Sequence, residues 1–472
     1  MRTTLPRALA ALAATALPAA AQSFFPLAPF SHTRDLYVSD SGNDAILRLA
    51  DLDLDGDFDA FQEVRVFYSD VLGPFPLGNN NGVTVGLNGV VYVSDSTEDR
   101  VIALLDRDGD GSCHGPNEAW VYFDGTGGSV SGIVMGSSAN MSIDLNGNVW
   151  VSVSGSGSSA PANEDKVVRL VDLNGDGDAQ DFGEAVEHWV APAGSGGDSV
   201  PQDVLVGFDG RLYLVDVPSS GPNAKGVYRL DDADGSGAID QPGEHAPFFV
   251  PPAQPNTPFY WGLGLDASGH FYLADTGNEL VWRFRDADGD QTVDPLTEAT
   301  VWWQAAGDSF LWRLAAASDG SVYAVETETP DRVLRLLDAD GSGTVDPLDP
   351  AETQVAWSDV GALVDISNPR SLAMDRQPTL QANAAPQVGQ PWDLLVLGTA
   401  GDIAVVYWSA ATVAPIPFAP FGELELDVTP GLSGFLFQGV LPEAGPLSVA
   451  LPVPADPGFA GATVALQGIA GK

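Results

Sequence analysis

The sequence predicts an all-β protein: a six-bladed β-propeller followed by a small C-terminal β-sandwich. A unit of roughly 50 to 65 residues recurs six times. Each unit contains short alternating segments rich in aromatic and β-branched residues, and each carries one acidic loop. The repetition stops near residue 375, where apolar segments punctuated by Pro and Gly take over.

The strand easiest to align recurs at 36–40, 91–95, 149–152, 212–216, 271–275 and 322–326, as in Leu36, Tyr37, Val38, Ser39 and Asp40. A second strand follows it and leads into the acidic loop, as at 45–49 and 333–337, and an outer strand such as 64–68 comes after the loop. Across a tight Asn-Gly, Asp-Gly or Ser-Gly turn a further strand precedes it, as at 83–87 and 263–266. Four strands per unit make a propeller blade. The first unit starts at its second strand, while a spare first strand at 370–375 follows the sixth outer strand. Pairing these ends completes one blade and removes an open sheet edge, so the propeller is placed at 35–375.

The formal net charge is −44 with only 20 Lys+Arg, which excludes binding to nucleic acid or anionic lipid through phosphate neutralisation. Cations are the natural partners. Residues 1–21 read as a signal peptide: Arg2 and Arg7, an Ala/Leu-rich run, then Ala19, Ala20 and Ala21 before Gln22. A lead-in at 22–34 precedes the propeller. The apolar run is too short to span a bilayer and no later segment replaces it, so the expectation is a protein secreted, on the cell surface or in the periplasm. Cys113 is the only cysteine, so no intramolecular disulfide stabilises the chain.

The acidic loops supply another means. Counting from the first Asp, positions 1, 3 and 5 are Asp51, Asp53 and Asp55 in the first loop and Asp106, Asp108 and Asp110 in the second. They are Asp172, Asn174 and Asp176 in the third, and Asp232, Asp234 and Ser236 in the fourth. The fifth has Asp286, Asp288 and Asp290, and the sixth Asp338, Asp340 and Ser342. Oxygens at these positions converge when a Gly at position 6 turns the chain sharply, which wraps a hard cation, calcium rather than magnesium. Position 8 is apolar throughout: Phe58, Cys113, Ala179, Ile239, Val293 and Val345. This makes Cys113 a small buried hydrophobe. A carboxylate falls at position 13 as Glu63, Glu118, Glu184, Glu244 and Glu298, one place beyond an EF-hand's closing Glu, so position 9 is the expected closing ligand: Asp59, Asp240, Asp294 and Asp346. His114 and Gln180 stand there in the second and third loops, and Gln291 replaces the turn glycine in the fifth. The Asp-x-Asp-x-Asp-Gly-x-x-Asp pattern resembles the loops in the propeller hairpins of integrin α chains. Several structural calcium ions are expected.

With the turns Asp40-Ser41-Gly42-Asn43 and Asp275-Thr276-Gly277-Asn278, the repeats resemble NHL-type repeats. That family contains six-bladed propellers with binding roles and a few with lyase or lactonase-like activity, and fold alone transfers neither.

Motifs point away from catalysis. His32, His114, His188, His245 and His270 form no zinc motif, and neither a G-x-S-x-G nor a phosphate-binding loop occurs. Asp40, Asp95, Asp216, Asp275 and Glu326 end the second strand in five blades. Facing the axis they could hold a metal, whereas pairing with Arg48, Arg169, Arg229, Arg283 and Arg335 would make them structural. The connections between blades lie on the opposite face from the acidic loops. They bring Phe259, Trp261, Phe310 and Trp312, with the amides Asn79, Asn80 and Asn81, toward a mouth suited to a glycan or peptide ligand. The reading leans to a non-catalytic calcium-binding propeller with a ligand-binding or scaffold role. The alternative is an NHL-like hydrolase or lyase working at the mouth with a channel metal.

The segment 376–472 reads as a linker and a sandwich, with strands at 394–397, 403–408, 434–437 and 464–466. From Gln377 onward it has no His, Arg or Cys, and its only Lys is Lys472. With Val453-Pro454-Ala455-Asp456-Pro457 it resembles a terminal β-domain of exported proteins of planctomycete-like bacteria.

Overall fold

The computed structural model describes residues 35–374 apart from 52–56, 60–62, 87–88, 145, 156–164, 192–198, 219–223, 267, 318–319, 328–329, 359–363 and 365; beyond 374 it describes the backbone of the strands. The described residues form strands and turns with no helix, in two units, one within 35–374 and one after 375. Among the described residues no helix is long and apolar enough to cross a membrane.

The first unit is a six-bladed propeller of four-stranded antiparallel sheets. Three strands of the first blade are β1 (Asp35–Asp40), β2 (Ala45–Ala50) and β3 (Val64–Ser69). The second blade has β4 (Asn80–Val85), β5 (Val91–Asp95), β6 (Arg100–Leu104) and β7 (Ala119–Asp124). The third has β8 (Ser137–Ile143), β9 (Val149–Ser154), β10 (Lys166–Leu170) and β11 (Ala185–Val190). The fourth has β12 (Pro201–Val206), β13 (Leu212–Asp216), β14 (Gly226–Leu230) and β15 (His245–Phe249). The fifth has β16 (Tyr260–Leu265), β17 (Phe271–Asp275), β18 (Leu280–Phe284) and β19 (Ala299–Gln304). The sixth has β20 (Leu311–Ala316), β21 (Val322–Glu326), β22 (Arg332–Leu336) and β23 (Thr353–Ser358). The closing strand β24 (Pro369–Met374) pairs with β1, Leu36 opposite Met374 and Val38 opposite Leu372, as the spare strand in the sequence requires.

The core lies between blades. Successive side chains of a strand point to opposite faces, so each blade feeds two neighbouring layers. Val91 and Val93 pack with Tyr37, Ile46 and Phe67 of the first blade. Tyr92, between them, packs with Met141, Val149 and Val151 of the third. Burial on both faces explains why strands β5, β13, β17 and β21 are buried at every position.

The acidic loops add a backbone link to this packing. The position-8 N–H of every loop donates to a carbonyl on the outer strand of the preceding blade. Cys113 N bonds Phe67 O at 2.7 Å, Ala179 N bonds Tyr122 O at 2.8 Å and Ile239 N bonds His188 O at 2.6 Å. Val293 N bonds Phe248 O at 2.8 Å, Val345 N bonds Trp302 O at 2.7 Å, and Phe58 N closes the ring on Ala356 O at 2.8 Å. All six apolar side chains at that position are buried, which anchors each loop to the blade before it.

In the second unit, β25 (Thr379–Ala382), β26 (Pro391–Leu397), β27 (Ile403–Ser409), β28 (Thr412–Pro417), β29 (Glu423–Leu426), β30 (Ser433–Val440), β31 (Leu447–Pro452) and β32 (Ala465–Gly471) form two three-stranded sheets and a hairpin.

Candidate metal loops and ligand mouth

Within the second to sixth loops the side chains at positions 1, 3 and 5 accept hydrogen bonds from backbone ahead of them, which coils the chain around a centre. Asp106 Oδ1 accepts from Gly109 N at 2.7 Å and its Oδ2 from Gly111 N at 2.8 Å; Asp108 Oδ1 accepts from Asp110 N at 3.1 Å, and Asp110 Oδ1 from Ser112 N at 2.8 Å. The turn needs a left-handed residue at position 6. Gln291 adopts it with φ 74° and keeps the bond to Asp286 Oδ2 at 2.9 Å, so the missing glycine leaves the fifth loop intact.

The position-13 glutamates are more central than the sequence reading allowed. Glu244 Oε1 accepts from Ala233 N and Asp234 N, while its Oε2 accepts from Asp240 N and Gln241 N, so one carboxylate ties the two ends of the loop. Glu118 and Glu184 repeat the pattern, and Glu352, two places later in its loop, does the same. These bonds hold Glu244 and Glu298 below the usual carboxylate range.

Among the described residues five groups of three carboxylates have ligand atoms all within 4.8 Å of one another, a spacing able to hold a metal ion: Asp106, Asp108 and Glu118; Asp232, Asp234 and Glu244; Asp338, Asp340 and Glu352; Asp286, Asp288 and Asp290; and Asp57, Asp59 and Glu63. Three negative charges at such spacing repel unless a cation offsets them, and an all-oxygen donor set suits a hard divalent ion. Asp51, Asp110, Asp172, Asp176, Asp240, Asp294 and Asp346 stand outside these groups. Asp53 and Asp55 lie outside the described residues. In three of these groups the third carboxylate is the buried glutamate, and Asp59 is the position-9 residue that falls within a group among the described residues. Asn174 in the third loop donates to Asp176 and Asp181, at 3.0 and 2.7 Å. Ser236 and Ser342 accept from Ala238 N and Thr344 N.

The carboxylates ending the second strands are loop anchors. Asp40 accepts from Asn43 N, Asn43 Nδ2 and Ser367 N, and Asp275 from Phe259 N, Asn278 N and Asn278 Nδ2. Asp216 accepts from Val200 N and Ser199 Oγ. The expected Arg partners are corrected by the register: Arg48, Arg169, Arg229, Arg283 and Arg335 face Tyr37, Trp150, Tyr213, Tyr272 and Tyr323, three residues along the strand from the strand-end position and on its opposite face. Asp95 and Glu326 do pair with arginines, but with Arg100 and Arg332.

Burial pushes Asp40 and Asp216 up to about 6. Their folded pKa lies above the unfolded value of 3.8, so the folded state holds these protons more tightly and gains stability as pH falls from about 7 toward 4. Each contributes about 3 kcal/mol across that window, and relief of self-repulsion acts in the same direction. Thermal melts of chelator-treated protein are expected to rise between pH 7.5 and pH 5, and a flat or falling trend contradicts these assignments.

Among the described residues no histidine falls within a metal-holding group. Burial pushes His245, stacked on Tyr228 with centroids 4.8 Å apart, down to about 4. It also lowers His188, which hydrogen-bonds to Gly237 O at 2.8 Å. Burial likewise pushes the Cys113 thiol up, as befits a packed side chain rather than a nucleophile.

The axis carries residues that repeat reading passed over. Every inner strand has a register shift near its start, and the residues just past it form a ring: Gly82, Asn140, Asp203, Gly262, Arg313 and Ser371. All six are buried. Arg313 Nη1 bonds Asp203 Oδ1 at 2.7 Å across the axis, its Nη2 bonds Met141 O at 3.0 Å, and Ser371 Oγ bonds Asn140 Oδ1 at 3.2 Å. A Cβ on Gly262 would lie 2.5 Å from Arg313 Cα, so glycine there lets the strands close up. Hydrogen-bonded side chains, the Asp203–Arg313 ion pair among them, occupy this level of the axis.

One step nearer the inter-blade connections lie Asn81, Ala139, Gln202, Trp261, Trp312 and Arg370, all half-buried except the buried Gln202. The expected aromatic cluster is present. Phe259 and Trp261 have centroids 4.9 Å apart, Trp261 and Trp312 4.2 Å, and Phe310 and Trp312 5.3 Å. The Arg370 guanidinium lies 4.9 Å from the Trp312 ring centroid and donates to Asn81 Oδ1 at 3.0 Å. These half-buried residues lie next to the buried ring, on its inter-blade side.

No family model matches the sequence, and no curated protein does. Solved structures are similar to it. Virginiamycin B lyase from Staphylococcus aureus shares 15% identity with a TM-score of 0.34, covering 69% of this chain and 80% of that one. A gluconolactonase from Xanthomonas campestris shares 12% with a TM-score of 0.38, covering 80% and 96%. The calcium-binding protein regucalcin from Agrobacterium tumefaciens shares 12% with a TM-score of 0.37, covering 69% and 83%. The likeness is to the propeller as a whole rather than to NHL repeats. The leaning against an enzyme is corrected: the similar structures are mostly named as enzymes, among them lyases, lactonases and an aldose sugar dehydrogenase. At these identities and TM-scores the likeness is one of fold, and the chain is an all-β six-bladed propeller with acidic clusters able to coordinate metal.

Proposed function

We propose that this is an exported, calcium-stabilised propeller that takes a small ring-bearing organic substrate at its mouth and acts on it by hydrolysis or elimination. The metal is structural and sits in the loops. The observation that carries the reading is the cluster at the mouth, in which Trp261 and Trp312 offer apolar faces, Asn81 and Gln202 offer amides, and Arg370 offers a guanidinium against the Trp312 ring. Hydrolysis of an ester and elimination both build negative charge on an oxygen, and a guanidinium held in place by Asn81 and Trp312 stabilises such charge.

The test is a panel of lactones, cyclic esters and cyclic depsipeptides, with ring opening followed by proton release and mass spectrometry on the full chain. At least one substrate is expected to turn over, with loss of about a hundredfold in Arg370→Ala by the cost of one charge-stabilising donor. Turnover that survives both Arg370→Ala and Trp312→Ala places the chemistry elsewhere and removes the reading.

A further inference from the structure

A protein with 64 acidic residues and 20 Lys+Arg has few cations to leave without a carboxylate. On the inter-blade face Arg100 is paired with Asp95 and Arg332 with Glu326. Arg370 and Lys225 have no carboxylate partner among the described residues. Arg370 is partnered by Asn81 and the Trp312 face, and its buried Nε has no partner; Lys225 Nζ donates to Pro258 O at 3.0 Å and lies 5.9 Å from the Phe259 ring centroid. The two cations end one continuous row: Lys225, Phe259, Trp261, Trp312, Arg370. Desolvation lowers the Arg370 pKa, and no carboxylate opposes it.

Placing unpaired cations in a half-buried, aromatic-lined mouth costs desolvation unless a ligand offsets it. A guanidinium fork matches a carboxylate, and an indole face matches the flat apolar side of a ring. We infer that the ligand of the mouth carries a carboxylate on a ring with an apolar face, the carboxylate lying against Arg370 and the ring on Trp261 and Trp312. This rests on the mouth being the ligand site and adds a ground-state negative charge to that ligand. An aryl acid and a uronic acid both present this chemistry.

Calorimetric titration of the full chain uses two matched pairs, phenylacetate against phenylacetamide and glucuronate against glucose. One carboxylate is expected to bind at least tenfold more tightly than its neutral counterpart, and which one identifies the source. The preference is expected to weaken with salt and to vanish in Arg370→Gln. Arg370→Lys keeps the charge but loses the fork, so it is expected to retain a reduced preference, with melting temperature checking that each variant folds. Neutral and acidic members binding equally, with both lost in Trp312→Ala, overturns the anionic ligand while keeping the mouth. Tenfold discrimination that is unchanged in a folded Arg370→Gln moves the anion site elsewhere and overturns the inference. Binding by none of the four overturns both.

Discussion

Excess chelator is expected to lower the melting temperature of the full chain by about 15 °C or more. A site held at a hundred times its dissociation constant adds about 2.7 kcal/mol to folding, and a domain of this size shifts by about 2 °C per kcal/mol. Five carboxylate triads offer themselves as sites, and removing their ions leaves like charges within 4.8 Å of one another. The consequence is not confined to the loops. Every loop donates its position-8 N–H to the preceding blade and buries the side chain beside it, so a relaxed loop loosens a blade-to-blade contact. The most exposed contact to this loss is the seam, where Phe58 N bonds Ala356 O and Gln354 Nε2 bonds Asp57 Oδ2 at 3.2 Å between the first and last blades. Calorimetry with and without chelator, followed by calcium and then magnesium add-back, decides the matter. Recovery with calcium and three or more bound ions is the expected result, whereas a melt that ignores chelation reduces the loops to turns.

The fold was legible because repetition multiplies a weak signal. One Asp-Gly segment is an ordinary turn, but six in register, each with an apolar residue at position 8, fix the blade boundaries and the phase of every strand. The spare strand now at β24 was legible for the same reason: it fills the one gap in a periodic pattern. The metal triads were half legible. Asp106 and Asp108 follow from the loop pattern, but Glu118 was set aside because an EF-hand closes one residue earlier. Without the helical flank of an EF-hand, its carboxylate arrives instead from the start of the outer strand. The axial ring was missed because its members share no chemistry: glycine, amide, carboxylate, guanidinium and hydroxyl occupy one register position. Their common feature is position, a non-apolar residue just past the bulge of every inner strand, and chemical pattern-seeking does not find it. The aromatic row was found through its residue types, while its cations were not, since Lys225 and Arg370 are 145 residues apart and are linked only through the three aromatics between them.

Arg313→Met is expected to destabilise the propeller by about 3–5 kcal/mol, the cost of leaving a buried charge without its partner. Asp203 and Arg313 are both buried, so the carboxylate left behind is shielded from bulk solvent. The carboxylate also accepts Leu263 N at 2.8 Å, so the second substitution matters as much as the first. Asp203→Asn in the Arg313→Met background removes the stranded charge but still accepts from Leu263 N–H, and it is expected to restore most of the lost stability. Strong non-additivity of this kind marks two residues acting as one unit. Burial already pushes Asp203 up to about 6 with Arg313 beside it. Without Arg313 the carboxyl takes up a proton at higher pH, so the single variant is expected to gain more stability than the wild type as pH falls from 8 to 5. Denaturant melts of the four proteins at both pH values test this. A single variant within 1 kcal/mol of the wild type at pH 8 would mean that the ring tolerates an unpaired carboxylate, and that the channel is open enough to admit the cation an axial metal site requires.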